Sequence, residues 1–331
     1  MAEEPFAMKS DEFVGNSLQT SGAQLIQFLE GKASGMKAIR MYNEAGLRLL
    51  VTPDRGMDIP ELKVHGVNIA FMSATGLVNS TYFVENGANG FMRNFNVGFL
   101  TTGGLSYMGA STQPAVGLHG TISNTPAENF SHHDEGADIV VDGDVREAAM
   151  FGVNLLMKRR ITIPKKRTSL HLRDVIINEG NRPSPLMMLY HMNFGYPFFS
   201  PESQLMLDPL MTTDRNGQKA TDWAIFSRPQ PQVEEQVYFH TFDEHPDQAV
   251  HYKLLSPATG LQAAISFESP FLSVLNEWKL MQTKNYVLGL EPATNNVNGI
   301  DAARDSGSLK MLEPGAKASF DLNIEFSKME V

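Results

Sequence analysis

Leu155-Leu156-Met157-Lys158-Arg159-Arg160-Ile161-Thr162-Ile163, followed after a short basic segment by Ser169-Leu170-His171-Leu172-Arg173-Asp174-Val175-Ile176-Ile177-Asn178, alternates apolar and polar residues with period two. That spacing puts one set of side chains on a core and the other toward water, the pattern of a long antiparallel hairpin. The basic residues Lys158-Arg159-Arg160 and Lys165-Lys166-Arg167 bracket Ile161 to Pro164 and read as a hairpin turn with solvated rims. Outward from this pair, Ala38–Tyr42, Leu47–Val51, Ile139–Val141 and Leu261–Phe267 are further short apolar or alternating runs. Asn43-Glu44-Ala45-Gly46, Asp142-Gly143-Asp144 and Asn178-Glu179-Gly180-Asn181 supply turn residues between them.

Helical periodicity is scarce, and near the start only Gly22 to Glu30 could make a couple of helical turns. Strands follow strands with no helix of crossover length between them, which argues for an all-β antiparallel sandwich and against a doubly wound sheet. No fixed-period repeat favours a propeller. With 331 residues and 42% hydrophobic content the chain can bury a sizeable core. No linker divides it, so residues 1–331 are expected to form a single β-sandwich domain with residues 1–35 as an N-terminal arm packed on it.

Composition removes several functions. The chain has no cysteine, which excludes disulfides, thiolate metal sites and a cysteine nucleophile. Its net charge of −10 offers no footprint for a phosphate backbone, so nucleic acid is not an expected partner. Met1-Ala2-Glu3-Glu4-Pro5 lacks the positive charge of a signal peptide, and no apolar run reaches bilayer-spanning length. The expected location is the cytoplasm, without a membrane partner, as a monomer or homodimer.

Three polar, glycine-rich segments could converge at one mouth of such a sandwich: Arg93 to Asn129, Tyr190 to Pro197 and Gly289 to Asn298. In the first, glycines near His119 allow close approach to its imidazole, although a lone strand histidine is more often structural. In the second, His191 and Asn193 project from one strand face among aromatics, a setting that suits a general acid. In the third, Glu291 ends an apolar run, where desolvation can raise a carboxyl toward catalytic range. Arg55 and Asp58, in Arg55-Gly56-Met57-Asp58, either contact a ligand or fix their own turn. Trp278 either packs in the core or offers an apolar platform to a ligand.

Taken together, Leu118-His119-Gly120, Tyr190-His191-Met192-Asn193-Phe194-Gly195 and Gly289-Leu290-Glu291-Pro292-Ala293-Thr294-Asn295 resemble the sugar-site segments of the aldose 1-epimerase (galactose mutarotase-like) superfamily. Pro53-Asp54-Arg55-Gly56-Met57-Asp58-Ile59 and Thr101-Thr102-Gly103-Gly104-Leu105 resemble its bacterial, DUF4432-like branch, and the similarity runs from about Leu47 to the C-terminus. The resemblance implies a large twisted antiparallel β-supersandwich and an isomerase that interconverts the α and β anomers of a free aldose. It implies further that His191 protonates the ring oxygen, that Glu291 takes the anomeric proton, and that His119 and Arg93 hold sugar oxygens. The acid–base exchange calls for no cofactor or metal. Galactose mutarotases carry Asn-His before Phe-Asn-Leu, whereas here Tyr190 precedes the histidine and Met192-Asn193 follows, so galactose specificity does not transfer. The superfamily's sugar-contacting aspartate has three candidates, Asp208, Asp222 and Asp243.

Two other readings compete. Ser131-His132-His133-Asp134-Glu135 with His119 and His191 could supply ligands to a metal enzyme of cupin type, although the His132-His133 stretch reads better as a solvated loop. A carbohydrate-binding protein without catalysis on the same fold is the other. A hexose 6-phosphate as substrate would need clustered arginines, and Arg93 stands alone.

Overall fold

The computed structural model describes residues 12–110, 117–242 and 249–329; the first part of the expected arm and Asp243 lie outside the described residues. The hairpin read from the alternating runs is present. Asn154–Pro164 and Ser169–Asn178 pair antiparallel, with Leu155 facing Asn178 and Thr162 facing His171. These strands lie in an eight-stranded sheet that also contains Leu261–Glu268 and Lys317–Lys328.

A second, twelve-stranded sheet holds most of the remaining strands. Its path runs Gly22–Gln27, Lys37–Tyr42, Leu47–Thr52, Asp58–Val64, Leu100–Leu105, Ser184–Gly195, Asn285–Ala293, Val274–Gln282, Gln236–Thr241, Met211–Asp214. The two sheets bury a common core in which Leu155, Met157, Ile161 and Ile163 meet Met188, Tyr190, Met192, Leu288 and Leu290. The large sheet is covered on its other face as well. There Met187, Leu189, Val274 and Ala293 pack with Ala303 of the helix Ile300–Asp305, while Val287 packs with Phe91 of the helix Gly87–Asn94 and with Phe95. Burial on both faces explains why the two central strands read as continuous apolar runs with no alternation.

Four expectations are corrected. Gly22 to Glu30 makes a strand, Gly22–Gln27, because the edge of the large sheet offers Lys37–Tyr42 as a pairing partner that local helical propensity cannot match. Asp142-Gly143-Asp144 is no turn but the middle of the strand Asp138–Ala148, at a register shift against Glu128–Glu135. Gly143 is needed there because a Cβ would meet Met57 Sδ at 2.8 Å. His132 and His133 lie on that exposed edge strand Glu128–Glu135 and not in a loop. Finally, Arg159 is not a solvated rim residue but lies fully buried between the sheets.

Arg159 is neutralised where it sits. It makes a fork to Asp174, Nε to Oδ1 at 2.9 Å and Nη2 to Oδ2 at 2.7 Å, and Nη1 donates to Thr102 Oγ1 at 2.8 Å. Tyr190 donates its hydroxyl to Asp174 at 2.8 Å, and Asp58 accepts from the Thr102 amide at 3.0 Å and hydroxyl at 2.6 Å. Burial pushes the Asp58 carboxyl up to about 6 against the pull of Arg159. This network ties the small sheet to the strands Leu100–Leu105 and Ser184–Gly195, which carry the site on their opposite face.

Candidate active site

The strands Ser184–Gly195 and Asn285–Ala293 pair with Leu189 facing Ala293 and Met192 facing Leu290, which sets His191 directly opposite Glu291 and Asn193 opposite Gly289. Strand alternation turns Tyr190 inward to the ionic network and His191 and Asn193 outward on the other face. The next strand places Asn276 beside Glu291 and Trp278 beside Gly289. Residues a hundred positions apart are thus juxtaposed by ladder register.

His191 Nε2 lies 3.1 Å from Glu291 Oε1, and both side chains are almost completely buried. Three polar atoms here have no hydrogen-bond partner among the described residues: His191 Nδ1, Glu291 Oε1 and Asn193 Oδ1. Asn276 adds a fourth in its Oδ1, while its Nδ2 donates to the carbonyls of Glu291 at 3.4 Å and Asn295 at 3.3 Å. Buried polar groups normally find partners, so a cluster of unpaired ones marks a place for a polar ligand.

Aromatic rings enclose the pair. His191 has Phe95 and Trp278 edge-on, each with ring centroids 5.4 Å away, and His119 at 5.6 Å. Phe91 covers His119 at 5.4 Å. His119 sits at φ +59°, an uncommon conformation for a side-chain-bearing residue, and its Nδ1 accepts from the Gly109 amide at 3.3 Å. That acceptor role fixes the neutral tautomer with the proton on Nε2.

Desolvation dominates the electrostatics. It holds His191 well below the usual imidazole range, with the neighbouring His119 adding to the effect and Asn193 opposing it. It pushes Glu291 well above the usual carboxylate range, helped by Glu235. Both shifts favour neutral imidazole beside neutral carboxyl, which leaves one proton on the pair. His119 is lowered to about 4 by burial and by Arg215.

The His119 shift makes stability depend on pH. Between pH 6.5 and about 4 the unfolded chain takes up a proton that folded His119 refuses, so stability is complete above 6.5 and falls as pH drops through that window. Relative to the wild type, His119→Gln is expected to flatten this decline by roughly 3 kcal/mol, measured by urea unfolding at a series of pH values. An unchanged slope would show that His119 protonates freely in the fold.

Of the residues singled out from sequence, His191, Glu291, Asn193, His119 and Trp278 are brought together. Arg93 is exposed on the helix Gly87–Asn94, and no hydrogen bond or ion pair holds it among the described residues; the neighbouring Phe91 is what reaches His119. Asp58 is taken up by Thr102 and Arg159. Arg55, buried and pushed down to about 10 by desolvation, donates to the Val78 carbonyl at 2.8 Å. Neither touches the pair. Among the aspartate candidates, Asp208 adjoins the small sheet, and the Asp222 carbonyl accepts from Lys279 Nζ at 2.9 Å.

Residues not singled out complete the rim. Trp278 Nε1 donates to Glu235 Oε2 at 2.9 Å, and Arg215 Nη2 to Glu235 Oε1 at 3.0 Å. Only register and ring packing reveal Phe91, Phe95, Arg215, Glu235 and Asn276, so no local pattern could have found them. Gly289 faces Asn193 across the ladder. A Cβ there would meet Glu291 Oε1 at 2.6 Å and His191 Cε1 at 3.3 Å. Gly289→Ala is therefore expected to swing the carboxylate away from His191 and lower turnover about 100-fold, with unfolding by urea little changed. Full activity in that variant would place the working carboxylate elsewhere.

For the rival metal reading, His133 is held by Glu135 at 2.8 Å on an exposed strand. No group of three or more His, Asp or Glu side chains with metal-holding geometry occurs among the described residues.

The family profile of a domain of unknown function, DUF4432, matches residues 33–326. The chain belongs to the DUF4432 family. No curated protein sequence matches it. Among solved structures, a candidate aldose 1-epimerase from Klebsiella pneumoniae subsp. pneumoniae MGH 78578 is 22% identical with a TM-score of 0.83, covering 96% of this chain and 89% of the other. A galactose mutarotase-like protein from Clostridium acetobutylicum is 15% identical with a TM-score of 0.67, covering 94% and 100%. Galactose 1-epimerase from Lactobacillus acidophilus NCFM is 12% identical with a TM-score of 0.63, over 94% and 100%. At these identities the likeness is one of fold, and this DUF4432 protein has the galactose mutarotase-like β-sandwich expected from its sequence. No described helix is long and apolar enough to cross a membrane.

Proposed function

We propose that the protein interconverts the anomers of a free aldose by acid–base ring opening. The observation that carries this reading is the 3.1 Å approach of His191 Nε2 to Glu291 Oε1, with unpartnered buried acceptors around it. The anomeric hydroxyl and the ring oxygen of a cyclic aldose share one carbon. An acid and a base acting on them must converge within the width of a hemiacetal, and a cross-strand pair does so.

In the opening step the Glu291 carboxylate takes the proton of the anomeric hydroxyl, and the C1 to ring-oxygen bond breaks with its electron pair on the ring oxygen. The imidazolium of His191 supplies the proton for that oxygen, leaving an aldehyde, a neutral imidazole and a neutral carboxyl. Burial favours the neutral pair at rest, so the ionised pair that starts this step forms when the shared proton passes from Glu291 to His191 across their 3.1 Å approach. Rotation about the C1–C2 bond presents the other carbonyl face, and the two protons return along the same routes. His119 Nε2–H is a fixed donor for a sugar oxygen, and Trp278 and Phe95 offer ring surfaces to its C–H faces. The chemistry needs no cofactor, and a reducing cytoplasm suits a chain without cysteine.

Exchange NMR on a panel of free hexoses, pentoses and deoxy sugars tests the proposal. Acceleration of anomer exchange for at least one sugar is expected. Ligand signals that broaden with no sugar accelerated would assign a binding protein in its place, and no response to any sugar would remove the carbohydrate reading.

A further inference from the structure

The indole of Trp278 is half-buried and packs against both apolar clusters on the site-bearing face of the large sheet, that of Val237 and Phe239 and that of Phe91, Phe95 and Val287. Apolar contact of this kind suits an indole in more than one setting of its outer side-chain torsion, because that torsion is broad and roughly two-fold. What distinguishes the settings is the one polar group, Nε1–H, which can only donate. It donates to Glu235 Oε2 at 2.9 Å, and in that setting the ring stands edge-on to His191 with centroids 5.4 Å apart.

The ladder brings the acceptor there. Val237 faces Trp278 across the strand pair Gln236–Thr241 and Val274–Gln282. Glu235, two residues before Val237, shares its face by strand alternation and sits diagonal to the indole. Arg215 holds Glu235 in turn, its Nη2 donating to Oε1 at 3.0 Å. Arg215 opens a tight turn after Asp214, which faces Tyr238. The Asp214 carboxylate fixes that turn by accepting from the Asn216 amide at 2.9 Å and the Gln218 amide at 2.8 Å. The Arg215 and Glu235 side chains are 54% and 45% exposed, so their ion pair contributes little to stability. Its geometric consequence is larger: with Oε1 engaged by the guanidinium, Oε2 is left aimed at the indole.

We propose that Glu235, steadied by Arg215, is a positioning residue that sets Trp278 as one wall of the site and through it fixes the surroundings of His191. The hold on the indole stands on this geometry alone, whereas its effect on turnover rests on the proposed anomer exchange.

The chain has two tryptophans, Trp223 and Trp278, so proton–nitrogen NMR of the full chain gives two indole signals, and Trp278→Phe assigns them. In Glu235→Ala the Trp278 indole proton should exchange with solvent about ten-fold faster, and the His191 ring-proton shifts should move, with urea unfolding unchanged. Glu235→Gln keeps an acceptor and should restore both signals, while Arg215→Met should fall between the wild type and Glu235→Ala. For whichever sugar of the exchange panel is accelerated, Glu235→Ala should raise KM about five-fold, the worth of a ring contact, with kcat changed by less than about two-fold. In a Trp278→Phe background Glu235→Ala should raise KM no further, because Glu235 acts through the indole. Should Glu235→Ala fail to fold, Glu235→Leu serves in its place. Unchanged indole exchange and His191 shifts in Glu235→Ala, failure of Glu235→Gln to restore them, or a further rise in KM in the Trp278→Phe background would each overturn the proposal. If no sugar is accelerated, the anomer-exchange reading fails and the NMR signals alone decide whether Glu235 holds the indole.

Discussion

Glu291→Gln and His191→Ala are each expected to lower the acceleration of anomer exchange by roughly 10²–10⁴-fold, the usual worth of a positioned acid or base. Gln keeps the shape of the carboxyl and removes its ability to accept a proton, and it relieves a carboxyl that burial has already driven toward neutrality. Stability should therefore hold within about 1 kcal/mol, and circular dichroism and urea unfolding should match the wild type. The two changes are expected to be non-additive, because either one breaks a single proton circuit. The same circuit dictates the pH profile. One proton on the pair is the working state, so the rate should fall in acid, when both groups are protonated, and in alkali, when neither is. The raised Glu291 and lowered His191 widen the plateau between those limbs. Exchange NMR across pH provides the check. Retention of rate in either variant with an intact fold would remove these residues from the chemistry.

The second large effect concerns stability. Arg159→Met should cost about 3–5 kcal/mol, because it strands Asp174 and Asp58 in the interior without their cation. For a chain of 331 residues the melting temperature should drop by about 5 °C. The double replacement Arg159→Met with Asp174→Leu should recover part of that loss, since an apolar pair removes the stranded charge along with its partner. A double variant less stable than the single would mean that the pair contributes more than mutual neutralisation. Turnover should also fall in Arg159→Met, because Tyr190, which hydrogen-bonds Asp174, precedes His191 on the same strand.

These two effects separate what local sequence could and could not convey. The small-sheet hairpin was legible because one of its faces meets water, and water enforces alternation along Leu155–Ile163 and Leu170–Ile177. The strands that carry the chemistry are covered on both sides, so Leu186–Phe194 and Tyr286–Leu290 offered no period, and only the polar residues inside them stood out. His191, Asn193 and Glu291 could be found because a polar residue in an apolar strand is conspicuous in any context. Arg159 misled because charge is read as exposure, and the carboxylates that neutralise it stand at positions 174 and 58. Gly143 misled for the opposite reason, a residue that usually marks a turn serving as clearance for Met57. Phe91, Phe95, Arg215 and Glu235 meet the site only through folding, and composition holds no trace of that meeting.

His191 and Glu291, the proposed acid and base, stand on facing rungs of one antiparallel ladder, while Phe91, Phe95, Arg215 and Glu235 come from a short helix and connecting segments. On the proposed reading, reaction and recognition fall to parts of different rigidity. Backbone amides of the two central strands should exchange with solvent only when the whole sandwich opens, so catalytic competence should vanish with global melting and not before it. The helix and connecting segments, by contrast, lie outside that ladder, so on the proposed reading replacing Phe91 or Phe95 should change which sugar is accepted without re-aligning His191 and Glu291.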